Sequence, residues 1–237
     1  MILYYRISNN SNKMDRLINS TKENCLSNAL KHFQPFVESF NIIADNVTED
    51  ILYQFLLDIK DKYPNVTLED SKLGNAGSFW YIFNKVLSLP ADTQVYLLED
   101  DYIHKSNSYK VLKEGLNRGE YVTLYDPNDM YKNYSEGGPN PFIEDGGEIA
   151  RVILTESSHW KTSISTTLTF ATTTRVLKED FDIWKAYTGG NSVNDFQCFV
   201  KLRELGRSLI VPVPGYSTHA CVGYLSPLHD WNEEVLK

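Results

Sequence analysis

Apolar positions in the first hundred residues alternate between short runs and helical spacing. Ile2 to Ile7 reads as a strand. Ser20, with Glu23 three residues on, forms a capping box, and Cys25, Leu26, Ala29, Leu30 and Phe33 then recur on one helical face. Phe40 to Ala44 is a short buried strand ending in Asp45-Asn46. Ile51, Leu52, Phe55, Leu56 and Ile59 mark a second helix, and Asn65 to Leu68 a third strand. Leu73-Gly-Asn-Ala-Gly-Ser78 is a tight loop into a helix carrying Phe79, Trp80, Ile82, Phe83, Val86 and Leu87. Val95 to Leu98 is a fourth strand, ending in Glu99-Asp100-Asp101.

Four strands alternating with three helices predict a parallel sheet with right-handed crossovers. Such sheets bind ligands beyond the carboxyl ends of their strands. Ser8, Asp45, Asp70 and Glu99 to Asp101 all stand at those ends.

The second half has a different pattern. A helix around Val111, Leu112 and Leu116 precedes a strand from Tyr121 to Tyr125. Asp126 to Gly147, rich in Pro, Gly, Asn and Asp, reads as a long loop, of a length that is usually functional or disordered. Ile149 to Thr155 and Ser163 to Ala171 alternate like strands, and Arg175 to Tyr187 is helix-like. A helix from about Ser192 to Leu205 follows Gly189-Gly190. Ser208 to Val213 is a last strand before an irregular tail with His219, His229 and Trp231. With no repeat or linker, one α/β domain over 1–237 is expected, a mostly parallel central sheet flanked by helices with a smaller antiparallel portion.

The chain has 237 residues, 42% hydrophobic, enough for a sizeable core. Lys plus Arg total 23 against 31 Asp plus Glu, a net charge of -8. That balance disfavours nucleic acid as a partner, since displacing phosphate counterions needs a positive surface. Three widely spaced cysteines form no disulfide or zinc pattern, and neither a signal peptide nor a membrane span is legible. A cytoplasmic protein is expected.

Glu99-Asp100-Asp101 carries the strongest chemical signal. Adjacent carboxylates repel one another and cost stability at the end of a buried strand unless a cation neutralises them. Their oxygens suit Mg²⁺ or Mn²⁺ shared with substrate phosphates, while a solvated acidic turn is the plain alternative. Asp45 either accepts hydrogen bonds from a nucleobase or ribose, or caps the following helix. Gly74 and Asn75 allow backbone amides close to an anion, or are simply a helix entry. Asp195 is either a general base or a complement to a helix dipole. His219 could bind a metal or phosphate, and His159-Trp160 a sugar.

Taken in order, these elements resemble the GT-A fold nucleotide-sugar glycosyltransferases, nearest to the inverting family-2-like enzymes. The features are the first strand, the helix entered through Lys22-Glu-Asn-Cys-Leu26, Ala44-Asp45-Asn46, the Gly-Asn-Ala-Gly-Ser turn, Leu97-Leu-Glu-Asp-Asp101 and Asn194-Asp195. The likeness runs from about Ile2 to His219. The acidic triplet resembles the family's DxD motif, and Asn194-Asp195 a variant of its Glu-Asp element.

The resemblance implies a metal-dependent, hexosyltransferase-type enzyme of glycan synthesis. It would move a sugar from a UDP- or GDP-type donor to a carbohydrate acceptor hydroxyl. Residues 1–104 would bind the donor and 105–237 the acceptor. Asp45 would face the nucleobase, Glu99 the ribose, and Gly74 and Asn75 the donor's anionic part. Asp101, with Asp100 beside it and His219 as a third contact, would hold Mn²⁺ or Mg²⁺, and Asp195 would be the base. The Asp126 to Gly147 loop and His159-Trp160 would face the acceptor. A sugar-nucleotide-forming nucleotidyltransferase is the first alternative, although Ser8 to Lys13 lacks a glycine-rich loop. A non-catalytic carbohydrate- or nucleotide-binding module is the second, and clustered carboxylates weigh against it.

Overall fold

The computed structural model describes residues 1–9, 14–48, 51–141, 143–144, 147–190 and 192–235. The first half alternates strand and helix: β1 (Ile2–Ser8), α1 (Lys22–Phe33), β2 (Ser39–Asp45), α2 (Ile51–Lys62), β3 (Val66–Ser71), α3 (Gly74–Leu87) and β4 (Gln94–Glu99). There follow β5 (Tyr102–His104), α4 (Ser108–Leu116), β6 (Tyr121–Val122), the antiparallel pair β7 (Ile143–Glu144) and β8 (Gly147–Glu148), then β9 (Val152–Leu154), β10 (His159–Ser163) and β11 (Phe170–Thr173). The chain continues through α5 (Thr174–Glu179), α6 (Phe181–Thr188), α7 (Asp195–Glu204), β12 (Leu209–Val213), β13 (Ser217–His219) and α8 (Asn232–Val235).

One nine-stranded sheet runs through both halves in the order β3-β2-β1-β4-β11-β6-β12-β10-β9. The β3-β2-β1-β4 side is wholly parallel, as the alternating pattern predicts. Beyond β4 the pairings are antiparallel except for β6 with β12.

Period-2 alternation sends side chains to both faces. Leu3, Tyr5, Ile42, Ala44, Tyr96 and Leu98 meet α1, α2 and α4 on one face. Tyr4, Ile43, Val95 and Leu97 meet α3, α5, α6 and α7 on the other. Trp184 anchors that second layer, stacked on Phe170 at 5.0 Å and 17°. Both faces are therefore dry, and access to the parallel side of the sheet is left to the strand ends.

Several local expectations are corrected. Thr21, not Ser20, caps α1, accepting from the Asn24 amide, while the Ser20 hydroxyl turns back to the Leu17 carbonyl. Gly74 to Gly77 form the first turn of α3 rather than a loop before it. Arg175 to Tyr187 divides into α5 and α6 at Asp180, whose carboxylate is held by the Tyr121 hydroxyl at 2.9 Å and Arg207 Nε at 2.9 Å. Most of Ser163 to Ala171 connects β10 to β11 instead of forming a strand. The tail is not wholly irregular, because β13 pairs with β5. Part of the Asp126 to Gly147 loop lies outside the described residues. Trp160 is buried and donates to Thr155 Oγ1 at 2.9 Å, so its ring packs in the core rather than facing a sugar.

Candidate active site

The sheet register builds the site. Ser8 lies opposite Asp45, Asp45 opposite Ser71, and Arg6 opposite Glu99, so β1, β2 and β4 end together. Past these ends lies a cleft of about 290 Å³, lined by Asp45, Gly74, Asn75 and the Glu99–Asp101 triplet with basic side chains between them. Asp70 is not part of it and instead accepts from the Tyr53 hydroxyl at 2.9 Å.

Asp45, 3% exposed, fixes one wall. Its Oδ1 accepts from Ser71 Oγ and from the Leu73 amide, each at 2.7 Å, and its Oδ2 from Asn46 Nδ2 at 2.8 Å. These bonds tie the end of β2 to the turn entering α3. Gly74 in that turn has φ +71, a conformation that disfavours other residues.

Each member of the acidic triplet faces a basic side chain that sequence reasoning assigned no role. Glu99 takes Arg6 Nε at 3.0 and 3.1 Å and Nη2 at 2.8 Å. Asp100 accepts from Lys22 Nζ and from the Ser8 amide at 2.9 Å. Asp101 Oδ2 meets Arg16 Nη2 at 3.2 Å. The signal for Arg6 was present: a charge inside an apolar strand is buried unless the strand is an edge, and a buried charge needs a partner. Arg16 and Lys22 carry no comparable signal, being polar residues in a polar stretch.

Titration follows from these surroundings. Burial pushes the Glu99 carboxyl up to about 7, against the pull of Arg6. Burial also raises Asp100, with Lys22 opposing and the Asp101 charge adding to the rise. Burial works on Asp101 too, but the His219 bond and charge, with Arg16 and Lys22, outweigh it and leave the carboxyl below its usual range.

Arg6 is the keystone of the floor. Its Nη1 also reaches the Asn75 carbonyl and Ser78 Oγ, the latter at 3.0 Å, so one guanidinium joins β1, β4 and α3. Arg6→Met is expected to lower stability by about 1–3 kcal/mol, because the Asn75 carbonyl and Ser78 lose their donor and Glu99, its carboxyl already raised to about 7 by burial, takes up a proton once the pull of Arg6 is gone. A urea midpoint shift under 1 kcal/mol would show that the pair is dispensable.

The tail delivers His219. In the β5–β13 ladder His219 lies opposite Tyr102, and the Ala220 amide donates to the Asp101 carbonyl at 2.7 Å. Arg16 bridges Cys221 in the same strap, with the Leu17 amide on the Ala220 carbonyl at 3.0 Å. His219 Nε2 and Asp101 Oδ2, 118 residues apart in sequence, come within 3.0 Å. Among the described residues no group of three His, Cys, Asp or Glu side chains could hold a metal.

Asp195 begins α7, after Asn194, whose side chain caps the Gln197 amide at 3.1 Å. Its Oδ2 accepts from Thr166 Oγ1 at 2.8 Å and the Leu168 amide at 2.9 Å. Thr167 and Leu168 are left-handed, φ 45 and 62, a strained choice for a β-branched residue beside a candidate site. The Tyr102 hydroxyl donates to the Thr166 carbonyl at 3.0 Å, which links this loop to the residue after Asp101. Burial raises the Asp195 carboxyl above its usual range. Asp195 and His219 do not line the 290 Å³ cleft itself. No helix among the described residues is long and apolar enough to cross a membrane.

No protein-family model and no curated protein matches the sequence. Solved structures match in fold. GalNAc-T7 with UDP, GalNAc and Mn²⁺ aligns with a TM-score of 0.59 at 13% identity, covering 94% of this chain and 44% of that one. Staphylococcus aureus TarS 1–349 gives 0.51 at 14%, over 89% and 58%. The galactosyltransferase LgtC, in complex with donor and acceptor sugar analogues, gives 0.50 at 8%, over 89% and 73%. The chain thus spans about half the length of two of these three proteins. At such identities the likeness shows the fold alone, a GT-A-like α/β architecture.

Proposed function

We propose that the protein is a glycosyltransferase that moves a sugar from a nucleoside-diphosphate sugar to a carbohydrate acceptor hydroxyl. One observation carries the reading: the acidic triplet lines a cleft at the ends of β1, β2 and β4, and His219 arrives beside its last member. In this reading residues 1–104 bind the donor and 105–237 add the acceptor side. Asp45 and the Gly74–Asn75 turn frame the nucleotide, and Glu99 stands at the ribose.

The donor set suits a divalent cation. Asp101 offers a carboxylate oxygen and His219 an imidazole nitrogen, and Mn²⁺ or Mg²⁺ commonly takes few protein ligands and completes its shell with phosphate and water. When bound, such an ion neutralises charge gathering on the departing diphosphate. Asp195 supplies the base, taking the proton of the acceptor hydroxyl. That oxygen bonds to the anomeric carbon as the bond to the diphosphate oxygen breaks and its electron pair leaves with the nucleotide. Direct attack of this kind inverts the anomeric centre.

Thermal denaturation with a panel of nucleoside diphosphates and sugar nucleotides, with and without Mn²⁺, tests the reading. A true donor at a hundredfold excess over its Kd stabilises the fold by about 2.7 kcal/mol. For a chain this size each kcal/mol raises the Tm by about 2–4 °C. If no nucleotide moves the midpoint under either condition, the reading fails.

A further inference from the structure

We infer that Arg16 and Lys22 are protein ligands for the donor's diphosphate, so that the cleft holds a nucleoside diphosphate through its own cations even when divalent metal is removed. The inference rests on the glycosyltransferase reading and adds two residues to it.

A diphosphate is an unfavourable guest for a protein of net charge -8. A cleft overcomes that by placing cations within reach of the phosphates. Arg6, Arg16 and Lys22 all line this one, interleaved with Asp45, Glu99, Asp100 and Asp101. Among the described residues, Arg6 uses four of its five N–H donors, on Glu99, the Asn75 carbonyl and Ser78. Arg16 uses one of its five, on Asp101, and Lys22 one of its three, on Asp100. Their side chains are only 23% and 16% exposed, so the remaining donors look into a confined space rather than open water. Each can keep its carboxylate and take a phosphate oxygen as well.

The carboxylates explain how two cations persist in the cleft before any ligand arrives. A half-buried cation without a partner would be costly, and Asp100 and Asp101 remove that cost. Both cations are also fixed in place. Lys22 opens α1 behind the Thr21 cap, and Arg16 sits in the backbone bridge to Cys221. An arginine fork beside an ammonium matches a pair of linked phosphates, the fork binding two oxygens and the ammonium acting as a point charge.

Calorimetric titration in excess EDTA decides the matter, with UDP, GDP, inorganic pyrophosphate, uridine and guanosine as probes. Wild type is expected to bind one of the diphosphates in EDTA. Lys22→Gln and Arg16→Gln should each weaken that affinity about tenfold or more. Lys22→Arg should keep it within a few-fold, and none of the variants should alter binding of the bare nucleosides. Equal diphosphate affinity in wild type and both glutamine variants overturns the inference, as does binding seen only with Mn²⁺. Those two results leave the glycosyltransferase reading intact. Absence of binding by every sugar nucleotide and nucleoside diphosphate with Mn²⁺ defeats the reading and the inference together. Should the glutamine variants not fold, competition between pyrophosphate and the bound diphosphate on wild type in EDTA is decisive. Displacement is expected, and its absence overturns the assignment.

Discussion

Asp101→Asn is expected to lower sugar transfer by about 10²–10³-fold, the loss typical when one preorganised group opposite developing charge is removed. The asparagine oxygen can still accept a hydrogen bond from Arg16 or His219, but it carries no charge to hold a cation beside His219. The same variant should melt lower at pH 7. Although burial raises the Asp101 carboxyl, His219, Arg16 and Lys22 hold it below its usual range. A carboxyl depressed in the folded state contributes stability that is present above its unfolded pKa of about 3.8 and is lost as pH falls through the folded value. The Tm gap between wild type and variant should therefore close on acidification below about pH 4. At neutral pH the cost is about 1–3 kcal/mol, the usual penalty for a polar group left without its partner. Asp100→Asn should cost less stability, because burial and the Asp101 charge already raise that carboxyl and offset part of what its pairing with Lys22 contributes. Full transfer by Asp101→Asn in the presence of Mn²⁺ would remove the metal assignment.

Asp195→Asn is expected to cost about 10²–10⁴ in transfer, the range for losing a positioned general base. Donor binding should survive, since Asp195 is not part of the cleft lining. The fold should survive as well, because the asparagine oxygen can accept the Leu168 amide bond. The pH profile separates a base from a loop anchor. A base works only when ionised, so the wild-type rate should fall on acidification through the Asp195 pKa. Burial places that limb above the ordinary carboxylate range. The variant's residual rate should lack the limb. A variant that loses Tm and donor affinity together, with its remaining turnover still showing the limb, would make Asp195 a support for the strained Thr167–Leu168 turn and nothing more.

The parallel side of the sheet was legible because its signals are local. Short apolar runs such as Phe40 to Ala44, spaced by helical stripes such as Cys25 to Phe33, leave few topologies that bury both. Placing Asp45 and Glu99 to Asp101 at strand ends followed from the same pattern, and the observed register bears that placement out. Local alternation failed where a loop imitates it. In Ser163 to Ala171, hydroxyl and apolar residues alternate, but the Thr166 hydroxyl donates to Asp195 and the Thr169 hydroxyl accepts from the Glu99 amide in a connection between strands. It failed again at Asp180, where partners on Tyr121 and Arg207 divide one helical stripe into two helices.

By itself, then, the order of residues determined an α/β chain with a parallel first half and carboxylates at the mouth of its sheet, since burial and periodicity are properties of neighbouring positions. Which cation meets which carboxylate was decided only in three dimensions. Arg6 finds Glu99 across 93 positions, Lys22 finds Asp100 across 78, Arg16 finds Asp101 across 85, and His219 reaches Asp101 through a two-stranded ladder that closes the tail over the site. Charge pairing acts through space at a few ångströms and leaves no periodic trace along the chain, so only the folded backbone could reveal it.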